Sequence, residues 1–104
     1  MSFEDFYGAC FAFGGGELLR QMIKHLVKNG ADVNLKNREG YTPLFMIVYN
    51  FYFHDDFAEL VELFVKKGAK IDELDKDGKT ALELVYGKKQ DILDYDIVVE
   101  FLRY

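Results

Sequence analysis

Carboxylates at alternate positions before a glycine form the pattern in this chain that is most similar to a metal site. The segment Glu73-Leu74-Asp75-Lys76-Asp77-Gly78 could begin a calcium loop, whose oxygen ligands come from alternate positions. Such a loop needs a bidentate glutamate at its twelfth position, which is Leu84 here. The sequence therefore favours a turn between two elements over a calcium site.

Two other stretches carry side chains that bind metals, His54-Asp55-Asp56 and the run Asp91, Asp94 and Asp96. Neither stretch has the further His or Cys that a zinc site requires. Asp at the start of a helix is favoured by the helix dipole alone. We therefore expect a loop turn and a helix start at these places, and no metal or cofactor.

The sequence also lacks a catalytic constellation. Serine occurs once, at Ser2, and there is no Gly-x-Ser-x-Gly motif. The run Gly14 to Gly16 is not followed by the Lys-Ser/Thr pair of a phosphate-binding loop, so it is better explained as a joint between helices. Cys10 and His25 lie in predicted helices, where burial is the expected role. We expect no enzyme activity.

Charge and composition limit the partners. The chain has 104 residues and a net charge of −5, with 13 Lys and Arg interleaved among 18 Asp and Glu, which argues against nucleic acid. A single cysteine excludes an intramolecular disulfide and fits a reducing compartment. No apolar run approaches the ~18 residues of a membrane span. We expect one cytoplasmic domain with no nucleic-acid or membrane partner.

The elements that must position these side chains repeat along the chain. The first half of the motif is Asn-Gly-Ala-Asp-Val-Asn at positions 29–34, and it returns as Lys-Gly-Ala-Lys-Ile-Asp at positions 67–72. The second half is Gly-Tyr-Thr-Pro-Leu at positions 40–44, and it returns as Gly-Lys-Thr-Ala-Leu at positions 78–82. Position 29 thus corresponds to 67 and position 40 to 78, with one offset for both halves of the motif. The same offset aligns Leu44 with Leu82 and Phe6, which are all apolar. A constant offset is typical of a stacked repeat, in which each unit touches only its neighbours.

The segment Asn37-Arg38-Glu39-Gly40-Tyr41-Thr42-Pro43-Leu44 and its counterpart Asp75 to Leu82 resemble the ankyrin repeat, whose signature contains Asp-x-x-Gly-x-Thr-Pro-Leu-His-x-Ala. The resemblance implies an all-α stack of three helix pairs, joined by two projecting β-hairpin or turn loops. Its units would span about 1–34, 35–72 and 73–104. It also implies a non-catalytic protein-binding function.

Apolar spacing and capping residues predict the helices. We expect helices at about 3–13, 17–28, 43–51, 57–67, 80–88 and 91–104. Gly30 should end a helix in the left-handed conformation, Gly68 should end another helix, and Thr42 should cap the helix that starts at Pro43. Asn34, Asn37 and Gly40 are suited to the positive φ of a tight loop.

The chain departs from the family in its longer period and in one motif position. The family's unit has about 33 residues, and the extra residues of this chain fall between the two helices of a unit, at 49–55 and 87–93. The position after Thr-Pro-Leu, commonly His in the family, is Phe45, and its counterpart is Glu83. This change removes the hydrogen bonds that a His would make between neighbouring loops.

The resemblance implies that the loop tips and the solvent side of the first helices form a concave face that contacts a partner protein. The residues predicted on this face are Lys36, Arg38, Glu39, Tyr41, Tyr49, Asn50, Leu74, Lys76, Asp77, Lys79 and Lys88. The alternative is a solvated loop without a partner.

The aromatic cluster Tyr49, Phe51, Tyr52 and Phe53 lies in one of the insertions. Exposed aromatic clusters often mark interfaces. Since two or three of the four rings can pack beneath the next unit, Tyr49 and Tyr52 are the predicted contacts.

Three functions stay open from the sequence. The chain could be an adaptor or scaffold, a small immunity-protein or antitoxin type of inhibitor that occludes an enzyme, or a homo-oligomerising structural protein. The acidic charge favours an inhibitor modestly, because it would be steered to a basic cleft. Both ends carry more apolar residues than one packed side needs, which motivates the oligomer: Phe3, Phe6, Tyr7, Phe11, Phe13, Ile97, Val98, Val99, Phe101, Leu102 and Tyr104.

Overall fold

The computed structural model describes residues 17–36 and 40–103, and these residues form a stack of helices. The elements in chain order are α1 (Glu17–Lys28), α2 (Pro43–Phe51), α3 (Phe57–Lys66), α4 (Ala81–Tyr86), a 3₁₀ helix (Lys89–Asp91) and α5 (Tyr95–Leu102). No β-strand occurs in these two ranges, so the described parts of the loops between units contain turns and no hairpin strands. The predicted helix at 3–13, the glycine joint at 14–16 and Asn37 lie outside the described residues.

The helices form two layers. In one layer α3 packs between α1 and α5, and in the other α2 packs against α4. Within a unit, α2 packs on α3 and α4 packs on α5. The core lies between the layers and contains fully buried side chains from all five helices, including Ile23, Phe51, Phe64, Val85 and Val98. This arrangement confirms the predicted all-α stack.

Helices α1 and α3 end with the same hydrogen-bond pattern. The amide of Gly30 donates to the carbonyl of Val27 and that of Ala31 to Leu26, at 3.2 and 3.0 Å. At the equivalent positions after α3, the amide of Gly68 donates to Val65 and that of Ala69 to Phe64, both at 3.0 Å. Gly30 has a φ of +91°, which confirms the predicted left-handed glycine after α1, and Gly68 has the same conformation after α3 with a φ of +92°.

The last two helices are shorter than the sequence predicts. The sequence predicts α4 at 80–88, but this helix covers 81–86, and α5 starts at Tyr95 instead of the predicted Asp91. The reason is Ile92, which has extended backbone angles (φ −104°, ψ 117°) and is buried with 7% of its surface exposed. Burying this side chain interrupts the helix, and Asp94 then turns the chain with a left-handed φ of 58°.

The two units use their extra residues differently. In unit two they lengthen α2 as far as Phe51, whose ring is fully buried. In unit three the equivalent position is the exposed Lys89, and the chain leaves the helix at Gly87. A buried aromatic ring holds the extra helical turn in place, and a lysine cannot do so because its ammonium group needs solvent.

The apolar end of the chain is mostly inside the fold. Val98, Val99 and Leu102 are buried, Phe101 is half-buried, and Ile97 is exposed. Phe3 to Phe13 and Tyr104 lie outside the described residues. Most of the C-terminal apolar surface that motivated an oligomer is therefore part of the core.

Candidate functional site

The loop between α3 and α4 folds around one carboxylate, Asp75. Its Oδ1 atom accepts hydrogen bonds from the amides of Asp77 and Lys79, both at 2.9 Å, and its own amide donates to the Lys79 carbonyl at 2.8 Å. Asp75 is buried, with 8% of its surface exposed. Asp75, the aspartate of the repeat signature, thus closes the turn 75–79 by hydrogen bonding. In a calcium loop its oxygen atoms would be needed to bind the ion.

Helix α2 holds this turn through Tyr49. The Tyr49 hydroxyl donates to Asp75 Oδ2 at 2.9 Å. Burial opposes ionisation of Asp75, but the hydrogen bonds from Lys79, Tyr49 and Asp77 outweigh it and lower the pKa of this carboxyl group below its usual value. Burial and the neighbouring carboxylate raise the pKa of Tyr49. At neutral pH the pair is a charged acceptor and a protonated donor.

Several side chains of the turn 75–79 are exposed, while its backbone is held in place by the hydrogen bonds of Asp75 and Tyr49. Leu74 is 56% exposed, and Lys76, Asp77 and Lys79 are exposed beside it. Lys36 Nζ lies 3.1 Å from Glu73 Oε2, which joins the preceding loop to this one. We call the exposed residues Leu35, Lys36, Leu74, Lys76, Asp77 and Lys79 the loop surface.

Asn34 links successive loops by its side chain. Its backbone does not have the positive φ for which the sequence suggested it, so that prediction is wrong. In the described residues Asp94 is the sole non-glycine residue with positive φ, whereas Gly40 has the predicted positive φ of 84°. The Asn34 side-chain amide donates to the Gly68 carbonyl at 3.0 Å and accepts from the Lys70 backbone amide at 2.8 Å. The loops are therefore fixed to each other as well as to the helices.

Several predicted contact residues have other roles. Tyr41 is buried at 9% exposure, with its ring edge-on to Phe45 and Tyr49, so its assignment to the partner-binding face is corrected. The Asn50 amide donates to the Met46 carbonyl within α2. Tyr49 is 37% exposed, and its hydroxyl is committed to Asp75. Arg38 and Glu39 lie outside the described residues.

A second cluster lies on the inserted loops. The Lys88 ammonium group sits 4.3 Å above the centre of the Tyr52 ring, so the inserted loops of units two and three touch. The side chains of Tyr52 and Lys88 are both half-buried. Phe51 is fully buried and Phe53 is 58% exposed, so the most exposed ring of the aromatic cluster is not one of the two predicted contacts.

Ionic contacts join α1 to the start of α3. Asp56 lies 2.8 Å from Arg20 Nε and 3.1 Å from Lys24 Nζ, and Glu59 lies 3.2 Å from the same lysine. Burial opposes the charge on Asp56, but its hydrogen bonds with Arg20 and Lys24 outweigh this and lower its pKa. The groove of about 440 Å³ beside these residues is lined by Arg20 and Lys24 together with the carboxylates Glu17, Asp55 and Asp56. Both cations that the structure describes in its lining are paired with Asp56, so the groove is poorly suited to an anionic ligand.

Sequence reasoning missed two features of the surface. The role of Asp75 in closing the turn was missed, although the Asp-x-x-Gly-x-Thr spacing of the repeat signature marks this residue. The exposure of Leu93 (55%) was also missed, whereas Ile97 (49%) was among the apolar residues of the chain end that motivated an oligomer. The repeat offset could have shown the exposure of Leu93, since its counterpart in unit two is the charged residue Asp55.

Metal binding and membrane insertion find no support in the described part of the chain. Among residues 17–36 and 40–103, no three His, Cys, Asp or Glu side chains are grouped so that they could hold a metal ion. Within the same ranges, none of the helices is both long enough and apolar enough to cross a membrane.

The geometry defines a helical repeat protein whose successive loops are joined to each other and to the helices by hydrogen bonds. A family model described as "Ankyrin repeats (3 copies)" matches residues 9–95, and the chain belongs to the ankyrin repeat family. This confirms the resemblance seen in the sequence. Ankyrin repeats generally serve as non-catalytic protein–protein interaction modules.

A relative from Fowlpox virus (strain NVSL), named as a putative ankyrin repeat protein, is 40% identical over 63 residues. The match covers 61% of this chain and 22% of the relative, so the chain spans about a fifth of the relative's length. No solved structure matches the chain significantly.

Proposed function

We propose that the chain binds a partner protein through the loop surface. The observation that carries this proposal is the turn 75–79, whose exposed side chains project from a backbone held by Asp75 and Tyr49. A rigid loop binds with a smaller loss of conformational entropy than a mobile one. Leu74 supplies apolar area, while Lys76, Asp77 and Lys79 supply charges that select the partner.

Binding through this surface should depend on Lys76 and Lys79. The double variant K76E/K79E reverses two charges on the loop surface, and K66E/K67E makes the same change at the end of α3, where both lysines are exposed. Affinity capture from the source cells, followed by titration of the purified captured protein, measures the effect. We expect affinity to fall about tenfold or more for K76E/K79E and to change less than about threefold for the control.

An equal loss in both variants would mean that the overall charge of the chain, and not the loop surface, controls capture. An unchanged affinity in K76E/K79E would overturn the proposal. Circular dichroism of both variants checks that the helices are retained.

The net charge of −5 favours a narrower second candidate, an inhibitor of an enzyme with a basic cleft. The captured protein decides between the two. An enzyme whose activity falls in proportion to complex formation supports inhibition, and a partner that keeps its activity in the complex supports an adaptor.

A homo-oligomer is the third candidate, and Ile97 and Tyr86 are exposed apolar residues of the last unit that could support it. Light scattering at rising concentration tests this candidate, because a chain that stays monomeric excludes assembly through the ends.

A further inference from the structure

Exposed apolar side chains lie at the start of α5 and in the loop that precedes it. Leu93 and Ile97 are 55% and 49% exposed, and they are four positions apart. Phe101, another four positions on, is half-buried. Ile97 and Phe101 are four positions apart within α5, so they lie on one side of the helix, whereas Leu93 lies two residues before α5 begins at Tyr95. We call Leu93, Ile97 and Phe101 the α5 stripe.

The α5 stripe is peculiar to unit three. The equivalent positions of unit two are Asp55, Glu59 and Leu63, so two of the three counterparts are charged. Glu59 is exposed and bonds to Lys24 of α1 at 3.2 Å. The repeat architecture by itself therefore places polar groups where unit three has leucine and isoleucine.

Local helix preferences do not explain Ile97 either. With Asp94 preceding α5, Ile97 is at the third helical position, where α4 has Glu83 in its capping box. An acidic residue is favoured there by the helix dipole, and a β-branched residue is a weaker helix former. Because Ile97 serves neither the core nor the helix end, its exposure is consistent with a role in binding.

Carboxylates flank the α5 stripe. Asp94, Asp96 and Glu100 are exposed, and within the described part of the chain none of them is in an ion pair. The acids of α3 differ, because Glu59 and Glu62 are paired with lysines. In the sequence from 90 to 103, Asp91 adds a fourth carboxylate, and Arg103 is the sole Lys or Arg. A ligand for this face must be apolar along one side and positively charged beside it.

We propose that the α5 stripe binds a basic amphipathic helix of a partner protein. The apolar side of that helix covers Leu93 and Ile97, while its Lys and Arg side chains reach Asp94, Asp96 and Glu100. The loop surface belongs to the loops beside α2 and α4, whereas α5 belongs to the other layer. A chain with two such surfaces can bridge two proteins, which goes beyond the function proposed above.

The test uses a fluorescein-labelled peptide of leucine and lysine, with leucines at i, i+3, i+4 and i+7. A scrambled peptide of the same composition has the same charge without an apolar side. Titration of ¹⁵N-labelled protein with the first peptide should shift the amides of residues 93–101. The scrambled peptide should bind at least about tenfold more weakly, because it cannot cover Leu93 and Ile97 together.

Two pairs of variants separate the apolar and charged contributions. L93D/I97E should weaken peptide binding about tenfold or more, whereas L35D/L74E, which adds the same charge on the loop surface, should not weaken it. D96N/E100Q should also weaken binding, while D72N/D77N removes two exposed acids elsewhere with a smaller effect. Because all eight positions are exposed, thermal unfolding of each variant should resemble that of the original chain.

Equal affinity for the two peptides would overturn the proposal, because it would show attraction by net charge alone. Shifts confined to amides outside residues 93–101 would place the peptide elsewhere and also overturn it. Sedimentation showing a dimer that L93D/I97E converts to a monomer would overturn it too, because a second copy of this chain would then be the occupant.

Discussion

Thr42 and Thr80 precede helices at equivalent positions, but only one of them caps its helix with a side chain. Thr80 Oγ1 accepts from the Glu83 amide at 3.3 Å, and the Glu83 carboxylate accepts from the Thr80 amide at the same distance. Thr42 Oγ1 is buried and has no hydrogen-bond partner in the described residues. Phe45 stands where Glu83 stands in the next unit, so it cannot return the bond and instead packs against Tyr41 and Tyr49.

Replacing each threonine with valine should therefore have different results. Thr80→Val breaks a capping box and should lower the free energy of unfolding by about 1 kcal/mol. Thr42→Val removes a buried hydroxyl without a partner and should change it by less than about 0.5 kcal/mol, or raise it. Urea unfolding measures both values. A similar loss at both positions would show that Thr42 has a partner in solution.

At the scale of elements, the glycine that ends α3 is required by its backbone angle. Gly68 has a φ of +92°, and a Cβ atom added there would meet no atom within 4 Å. The cost of a side chain at this residue is therefore conformational and not steric with respect to neighbours. Gly87 ends α4 with an ordinary φ of −73°, and an added Cβ would lie 3.5 Å from the Leu84 carbonyl oxygen, at normal contact distance.

Replacing each of these glycines with alanine should change the free energy of unfolding in opposite directions. Gly68→Ala should lower the free energy of unfolding by about 1–2 kcal/mol, because an L-residue is disfavoured in the left-handed region. Gly87→Ala should raise it by about 0.4–1 kcal/mol, because alanine restricts the unfolded chain and favours the helix. Thermal unfolding of both variants provides the comparison. A destabilised Gly87→Ala variant would mean that the end of α4 needs a conformation that alanine disfavours.

At the scale of the molecule, the two joints between outer helices are chemically different. The joint of α1 with α3 contains Arg20, Lys24, Asp56 and Glu59. One repeat further along, the equivalent positions in the joint of α3 with α5 are Ala58, Glu62, Asp94 and Ile97. In a stacked array each joint contributes its own interface energy. The first joint thus contains charge pairs that these later positions cannot form.

Removing the Asp56 charge should loosen the first joint selectively. Asp56→Asn leaves two mostly buried cations with weaker partners and should lower the free energy of unfolding by about 2–3 kcal/mol. Glu59→Gln is the control, because 61% of the Glu59 side chain is exposed and its pair should contribute less than about 1 kcal/mol. Hydrogen exchange should speed up in α1 more than in α5. Uniform acceleration in both helices would show that the joints are not energetically separate.

The free energy of unfolding should decrease as the pH falls into the acidic range. The pKa values of Asp56 and Asp75 are lowered by folding, so the native state binds fewer protons than the unfolded chain. The stability these carboxylates contribute is complete above the ordinary pKa of 3.8 and is lost as pH falls through the lower native values. Unfolding free energies measured from about pH 6 downward should therefore decrease mainly below about pH 4. A loss centred near neutral pH would instead point to a histidine such as His54.

The sequence by itself determined the repeat, the family, the bounds of α1 and α2 and the glycine turns. Each of these depends on residues within one or two helical turns or on the repeat offset, so periodicity, capping and the φ freedom of glycine are enough to predict them. Local rules failed at Thr42, which has the right residue type for a cap but a neighbour that cannot complete it.

Tertiary structure decided the contacts that cross between units. Tyr49 meets Asp75 and Asn34 meets Gly68 although each pair is far apart in the chain, and both contacts depend on how one unit sits on the next. The burial of Ile92, which shortens α5, has the same origin. Whether an apolar side chain faces the core or solvent depends on how the neighbouring helix is oriented. The periodicity of the sequence does not predict that orientation.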